Sequence, residues 1–111
     1  MLRGMYEAFN ARDIDAVITA LRDDVDWPNA WEGGRVRGHA GVRDYWTRQW
    51  AQVDPTVVPV GFEHRPDGSV AVQVDQRVRS IDGKLLAEER VLHVYVLRDG
   101  LVARMDVEKV V

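Results

Sequence analysis

Residues 69–101 read SVAVQVDQRVRSIDGKLLAEERVLHVYVLRDGL, and this stretch decides the fold of the chain. It holds two valine-rich segments in which apolar and polar residues alternate, as in strands with two different faces. Asp-Gly between such segments is a strong hairpin signal. The sequence therefore predicts an antiparallel meander of four strands, at 56–65, 69–80, 84–98 and 101–110. The turns between them are Pro66-Asp67-Gly68, Asp82-Gly83 and Asp99-Gly100.

The first half of the chain has helical periodicity instead. Residues 2–11 carry apolar side chains at the spacing of one helix face, and Asp13 is placed to cap a second helix that continues to Leu21. A third helix is predicted from Gly38 or His39 to Val53. The apolar positions of the first and third helices are Leu2, Met5, Tyr6 and Phe9, then Val42, Tyr45, Trp46, Gln49, Trp50 and Val53. With short extended pieces around Val25–Trp27 and 35–38, the plan is α+β, with helices on one face of the sheet.

Composition limits the function classes. The 111 residues suit one domain, 1–111, and the net charge of −3 argues against nucleic acid or anionic lipid as partner. The absence of cysteine excludes disulfides and thiolate chemistry, and the three histidines lack metal-ligand spacing. We therefore expect no metal and no organic cofactor. We find no long apolar run and no secretion signal, so we expect a cytoplasmic protein without a membrane partner.

The segment 84–98 is apolar on both faces. Val91, His93, Tyr95 and Leu97 share one face, and Leu92, Val94 and Val96 share the other. Helices cover only one side, so the second face needs another cover. We predict a homodimer through this outer face of the sheet. The alternative is a sheet that curls and covers itself.

Two polar residues interrupt the apolar rows of the predicted sheet. His93 lies between Val91 and Tyr95, and Gln76 follows Val74. A buried polar side chain costs about 1–3 kcal/mol unless it is hydrogen-bonded. Such a residue either finds an internal partner or meets a ligand. A satisfied core histidine is the more common case, but a ligand-facing His93 would suit proton transfer near neutral pH.

All four tryptophans lie within a short stretch of the chain, between Trp27 and Trp50. They line an apolar cavity for a ring-shaped ligand or they fill a thick core. Trp46 and Trp50, one helical turn apart, favour the core. For Trp27 and Trp31 both interpretations stay open.

Several segments, in order, resemble the nuclear transport factor 2-like superfamily, and most closely its SnoaL-like bacterial members. They are Tyr6-Glu7-Ala8-Phe9-Asn10-Ala11-Arg12-Asp13, Asp23-Asp24-Val25-Asp26-Trp27, Arg37-Gly38-His39, and His93-Val94-Tyr95 with Arg98-Asp99-Gly100. The resemblance spans essentially the whole chain. It implies a cone: a curved antiparallel sheet wrapped around three N-terminal helices, with an apolar pocket at the open end. It also implies dimers through the outer face.

The superfamily holds isomerases, cyclases, hydrolases and non-catalytic members, so the resemblance alone does not decide the activity. His93 stands where ketosteroid isomerases keep a neutral acid, Tyr6 lies about one residue from their tyrosine, and their base is absent around Trp27-Pro28-Asn29. The segment Met105-Asp106-Val107 resembles a late Trp-Asp-Val segment of the cyclases, which would make Asp106 the acid or base. Strand parity instead directs Asp106 to water. The epoxide hydrolases need an Asp–Arg–Asp set in the pocket, and we cannot assemble such a set from this sequence.

Three hypotheses remain. The chain binds a small apolar or cyclic molecule, with or without cofactor-free isomerase- or cyclase-type chemistry at His93; it is a non-catalytic dimeric binding module; or it is an interaction domain whose pocket is filled by side chains. Candidate catalytic residues are His93 and Asp106. Candidate ligand-binding residues are Tyr6, Trp27, Trp31, Trp46, Trp50, Gln76 and Tyr95. A cavity of a few hundred Å³ that reaches His93 would favour a ligand.

Overall fold

The computed structural model of the chain describes residues 1–109. Three helices come first, interleaved with two strands, and four long strands follow. The helices are α1 (Leu2–Asn10), α2 (Ile14–Ile18) and α3 (Gly38–Gln52). The strands are β1 (Leu21–Pro28), β2 (Arg35–Arg37), β3 (Val53–His64), β4 (Val70–Ser80), β5 (Leu85–Arg98) and β6 (Leu101–Lys109).

One curved, unclosed sheet contains all these strands, in the order β2-β1-β6-β5-β4-β3. The predicted meander is confirmed as β3 to β6, although residue 110 of the predicted last strand lies outside the described residues. The α+β class and the cone-like arrangement around three helices are also confirmed. The sheet is not purely antiparallel, because β1 runs parallel to β6. That pairing joins distant parts of the chain, so local periodicity gave no signal for it.

The predicted helix boundaries need two corrections. Asp13 caps α2 as predicted, with its Oδ1 accepting a hydrogen bond from the Ala16 amide at 3.3 Å. The helix ends at Ile18, and Leu21 is the first residue of β1 rather than part of the helix. Likewise Val53 begins β3 instead of closing α3. In both places the apolar residue is buried, so the helical stripe and the strand that follows it merge in the sequence.

Register across the sheet assigns the two faces. Val72 of β4 lies opposite His93 of β5, and Tyr95 lies opposite Met105 of β6. This inner face packs on the helices and forms the core. On the outer face, Val94 lies opposite Ala71 and Asp106. The predicted assignment of the β5 residues to two faces therefore agrees with the observed register.

Two polar side chains fix the end of α1 against the edge strand β3. The Asn10 side-chain amide donates to the Val57 carbonyl at 2.7 Å, and the Val57 amide donates to Asn10 Oδ1 at 2.9 Å. The Arg12 guanidinium donates to the Pro55 carbonyl at 2.8 Å and pairs with Asp54. Asn10 thus replaces a missing strand partner, and both contacts set the height of α1 over the sheet. None of the helices within residues 1–109 is long and apolar enough to cross a membrane.

Candidate functional site

A cavity of about 90 Å³ lies between the helices and the inner face of the sheet. Its wall contains side chains from α1, α3 and most of the strands, so it depends on the whole fold rather than on one motif. The lining residues are Met5, Tyr6, Phe9, Val17, Trp27, Pro28, Ala30, Tyr45, Trp46, Gln49, Pro55, Val57, Gln76, His93, Tyr95, Met105 and Val107. The cavity reaches His93, but it is smaller than the few hundred Å³ expected.

The polar centre of this wall is a chain of three buried side chains. The Tyr6 hydroxyl lies 2.8 Å from His93 Nδ1 and 2.7 Å from the Tyr95 hydroxyl. The Tyr6 and His93 rings are stacked with centroids 5.8 Å apart, and Tyr95 meets Tyr6 edge-on at 6.4 Å. Parity places His93 and Tyr95 on the inner face of β5, and the apolar stripe of α1 places Tyr6 above them.

Burial controls the charge states of this chain of side chains. It lowers the pKa of His93 from its usual value of 6.5 to about 4. Burial likewise raises the pKa of Tyr6, against a smaller opposing effect of its hydrogen bond to Tyr95. It raises the pKa of Tyr95 well above its ordinary range. At neutral pH all three groups are therefore uncharged, which suits a cavity without counter-ions.

Aromatic rings form much of the apolar wall of the cavity. Trp27 and Trp46 meet edge to face at 5.5 Å, and Phe9 packs against Trp46 at 5.3 Å. Trp27 is also 6.4 Å from Tyr95. Such geometry leaves flat faces and positive ring edges, which accommodate a planar apolar group.

No aspartate, glutamate, lysine or arginine side chain lines the cavity among the described residues. Its polar groups are neutral: Gln76 from β4 and Gln49 from α3 join the tyrosines and His93. Gln76 and Gln49 are half-buried, and Val107 beside them is 42% exposed. These residues mark the mouth of the cavity, because they reach both the cavity and solvent.

Two of the predicted tryptophans lie outside the cavity. Trp31 is 45% exposed in the turn between β1 and β2, where its backbone amide donates to the Tyr45 hydroxyl at 3.3 Å. Trp50 stacks on Trp46 at 5.9 Å, behind the cavity wall, and its indole N–H is buried without a partner among residues 1–109. Trp31 and Trp50 were predicted to bind ligand, but neither of them lines the cavity.

The turn that carries Trp31 is held by charge. Glu32 forms a two-contact pair with Arg48 of α3, at 3.0 and 2.8 Å, and accepts from the Asn29 amide at 3.0 Å. The Arg48 hydrogen bonds lower the pKa of Glu32 to about 2, with Asn29 adding to the effect. Ala30 of the same turn reaches the cavity, so this turn forms one side of the mouth.

Asp106 lies on the outer face of the sheet and does not line the cavity. It pairs with Arg104 at 2.8 Å and with Arg35 at 3.0 Å. The hydrogen bond from Arg104 is the main cause that lowers the pKa of Asp106. A carboxylate held charged by two arginines away from the cavity has no route to a ligand there. The geometry thus agrees with strand parity and opposes the catalytic role that the cyclase resemblance suggested.

Asp26 shares this outer-face cluster, and its burial departs from what alternation with Val25 and Trp27 would indicate, a side chain that faces water. It is only 8% exposed, beneath Arg35 and Arg104. The Arg35 hydrogen bond is the main cause that lowers the pKa of Asp26. Alternation in β1 correctly separates Asp26 from Trp27, but alternation cannot show that arginines from β2 and β6 cover the outer side.

A second depression, more polar than the first, lies between α1 and the edge strand β3. It encloses about 220 Å³ and is lined by Arg3, Tyr6, Glu7, Asn10 and Val57–Pro59. Asn10 is already bonded to Val57, and Arg3 stacks over Phe62 at 5.0 Å. Tyr6 separates the two spaces. Two polar side chains of this groove, Asn10 and Arg3, are therefore already engaged with neighbouring residues.

Several cavity residues were not assigned to the site from the sequence. Phe9, Tyr45 and Gln49 were predicted on buried helix faces, and Met105 and Val107 on one side of the last strand. Periodicity shows that such a side chain faces inward, but it does not show whether a void or a neighbouring side chain lies beyond it.

Within residues 1–109, no group of three or more potential metal-ligating side chains lies close together.

The SnoaL-like domain family matches residues 2–105 of the chain. The structure of TerC co-crystallised with polyporic acid is 26% identical, with a TM-score of 0.82, and the match covers 96% of this chain and 85% of TerC. An NTF2-like protein of unknown function from Burkholderia pseudomallei is 24% identical, with a TM-score of 0.83 and coverage of 98% and 87%.

A more distant structure also carries a ligand. RV0760c from Mycobacterium tuberculosis, in complex with estradiol-17beta-hemisuccinate, is 18% identical, with a TM-score of 0.77 and coverage of 91% and 84%. At this identity the likeness concerns the fold alone. No match was found among curated proteins.

Proposed function

The chain belongs to the SnoaL-like domain family, and on that premise we propose that its cavity binds a small, uncharged, ring-containing organic molecule. The observation that carries the proposal is the cavity itself: the rings of Trp27, Trp46 and Phe9 line the same cavity as His93. In this proposal the 111 residues act as one domain. Similarity to TerC, which was co-crystallised with polyporic acid, supports a small-molecule role.

The volume sets the size of the ligand. An engineered apolar cavity of about 150 Å³ holds benzene, whereas this one measures about 90 Å³. The cavity therefore admits at most one small ring, and in this proposal the rest of a larger ligand extends through the mouth between Gln76, Gln49 and Val107. The same observation opposes the interaction-domain hypothesis, because Trp46 narrows the cavity without filling it.

A second candidate function is cofactor-free chemistry of the isomerase or cyclase type. It is favoured by His93, whose neutral imidazole is the only acid–base group besides the tyrosines on the part of the wall that the structure describes. Enolisation needs a base as well as a group that stabilises the oxyanion. The described wall carries no carboxylate, so we propose binding as the primary function and catalysis as the alternative.

Two further features belong to the proposal. We propose that the protein is a homodimer, with Leu92, Val94 and Val96 of the outer face at its interface, and that it works in the cytoplasm.

The mouth of the cavity offers a matched test of binding. Val107→Phe narrows the mouth, and Val58→Phe makes the same change on an exposed strand valine outside it; the two valines are 42% and 48% exposed. We would screen uncharged cyclic ketones, lactones and quinones by isothermal titration. Val107→Phe should weaken binding about tenfold or more, and Val58→Phe should leave it unchanged. Loss of binding in Val58→Phe alone would place the ligand in the groove beside α1 and contradict the proposal.

Catalysis has its own test. The same ketones and lactones would be incubated with the protein and with His93→Ala, and turnover would be followed by NMR. Turnover that disappears in His93→Ala, while ligands still bind, would favour the enzyme alternative. Turnover that persists in His93→Ala would exclude His93 as the acid–base group.

A further inference from the structure

We infer that Tyr95 and Tyr6 fix His93 in the tautomer that presents an N–H to the cavity, so that the site selects ligands with a hydrogen-bond acceptor on the buried ring. The inference rests on the proposed function for its ligand, but its first half concerns the protein alone. The relevant contacts are Tyr95 hydroxyl to Tyr6 hydroxyl at 2.7 Å and Tyr6 hydroxyl to His93 Nδ1 at 2.8 Å.

Counting the hydroxyl hydrogens gives the direction of the hydrogen bonds that link Tyr95, Tyr6 and His93. Tyr6 has one hydroxyl hydrogen and two close partners, so it donates to one and accepts from the other. The Tyr95 hydroxyl has no second partner among residues 1–109, and its side chain is only 1% exposed. If Tyr95 did not donate to Tyr6, its own hydrogen would be buried without an acceptor. Tyr95 therefore donates to Tyr6, and Tyr6 donates to His93 Nδ1.

The direction of the chain determines the state of the other ring nitrogen. A neutral imidazole that accepts at Nδ1 carries its hydrogen on Nε2. His93 Nε2 has no hydrogen-bond partner in the described part of the chain. Nε2 is nevertheless not fully buried. Within residues 1–109, the one fully buried side-chain nitrogen or oxygen atom without a hydrogen-bond partner is Trp50 Nε1. His93 lines the cavity, so its free N–H is available to a ligand in the cavity.

The opposite polarity is disfavoured by the same contacts. A ligand that donates to Nε2 would move the imidazole hydrogen to Nδ1, which would then have to donate to Tyr6. Tyr6 would donate to Tyr95, and the Tyr95 hydrogen would be left unpaired in the core. A buried hydrogen-bonding group without a partner is costly. The site therefore prefers a carbonyl or another acceptor, and discriminates against a ring that offers only an N–H.

The protein-only half of the inference is tested by nitrogen NMR of the histidine rings. Long-range proton–nitrogen spectra of the ¹⁵N-labelled, ligand-free protein distinguish a protonated from an unprotonated ring nitrogen. His39→Gln and His64→Gln assign the signals. We expect His93 as a single species with hydrogen on Nε2 between pH 6 and 8. Hydrogen on Nδ1, or a mixture of both tautomers, would overturn the inference.

Tyr6→Phe tests whether the tyrosines cause this state. The variant removes the donor to Nδ1 and should populate the second tautomer, which a merely space-filling role of Tyr6 would not do. Tyr95→Phe leaves His93 Nδ1 as the only close partner of the Tyr6 hydroxyl, so this variant should keep the Nε2–H signal and serves as the matched control for the loss of a buried hydroxyl group. An unchanged pure Nε2–H signal in a folded Tyr6→Phe protein would contradict the inference.

The ligand half is tested with two rings of equal size. Cyclopentanone offers only an acceptor, pyrrole offers only an N–H donor, and both suit a cavity of about 90 Å³. By NMR titration, cyclopentanone should bind about tenfold more tightly than pyrrole, and Tyr6→Phe should reduce this ratio. Equal binding of both rings would overturn the inference and leave the proposed function standing. Failure of all ring ligands to bind would contradict the proposed function and the ligand half, while the NMR result still decides the tautomer.

Discussion

At the scale of single residues, the site depends on a histidine that stays neutral. His93 has no acidic neighbour in the cavity, and burial alone lowers its pKa to about 4. The groups that touch its ring, Tyr6 and Tyr95, are themselves uncharged at neutral pH. A charged His93 would have no counter-ion, so acid should weaken the fold.

The free energy of unfolding should therefore depend on pH with a definite sign. The pKa of His93 is lower in the folded chain, about 4 against 6.5, so the unfolded chain binds the proton first. Stability from the neutral ring is present above pH 6.5 and is lost as the pH falls towards 4. Between these limits the free energy of unfolding of the wild type should fall by up to about 3 kcal/mol more than that of His93→Gln. Urea titrations at several pH values measure the difference; parallel pH profiles of the two proteins would refute it.

The two tryptophans of the β1–β2 region give a second residue-scale prediction. Trp27 is 7% exposed and touches Trp46, whereas Trp31 is 45% exposed in the turn. Trp27→Ala should cost about 3–5 kcal/mol of unfolding free energy. Trp31→Ala, its matched control, should cost no more than about 0.5 kcal/mol. Similar losses for both variants in urea denaturation would mean that the turn packs differently.

At the scale of elements, the junction of α1 and β3 positions Tyr6 over the sheet. Arg12 has a positive φ of 62° and still makes several contacts. Its guanidinium donates to the carbonyls of Phe9 and Pro55, at 3.2 and 2.8 Å, and lies 5.0 Å from the centre of the Trp50 ring. The side chain therefore offsets the cost of its own backbone conformation.

Two substitutions separate these two contributions. Arg12→Ala and Arg12→Gly remove the same contacts, and each should lower the unfolding free energy by about 1–3 kcal/mol. Because glycine adopts positive φ without strain, Arg12→Gly should be more stable than Arg12→Ala by roughly 1 kcal/mol. Chemical denaturation measures both. A more stable alanine variant would contradict the backbone argument.

At the scale of the whole molecule, the outer face concerns assembly. Val94 is only 8% exposed in the single chain, so a charge there would disturb the fold as well as any interface. Val96 is half-buried and lies opposite Arg104 on β6. It is therefore the better probe of the proposed dimer.

Sedimentation provides the measurement. The wild type should have about twice the mass of 12.6 kDa at micromolar concentration. Val96→Glu should sediment as a folded monomer, since Arg104 can pair with the new carboxylate. Ile81→Glu, in the β4–β5 turn and 64% exposed, should leave the mass unchanged. A wild-type monomer would contradict the proposed interface.

The sequence predicts the architecture better than it predicts the site. Alternation in β5 is enough to place His93 and Tyr95 on one face, and helix periodicity places Tyr6 towards the core. The hydrogen bond between Tyr6 and His93 is not predictable in this way, because it depends on where Asn10 and Arg12 hold α1. Burial of Asp26 is missed for a similar reason, since its cover comes from β2 and β6. Contacts between distant segments leave no periodic signal.

The central claim is that a ring-containing ligand occupies the cavity beside His93. Isotope-filtered NMR of the ¹³C,¹⁵N-labelled protein with an unlabelled cyclic ketone tests it most directly, because contacts between ligand protons and protein protons identify the wall. We predict contacts to Trp27, Trp46 and Tyr95, and a change in the His93 Nε2–H signal. Contacts confined to Trp31, to the groove at Val58 or to the outer face, with His93 unchanged, would contradict the account.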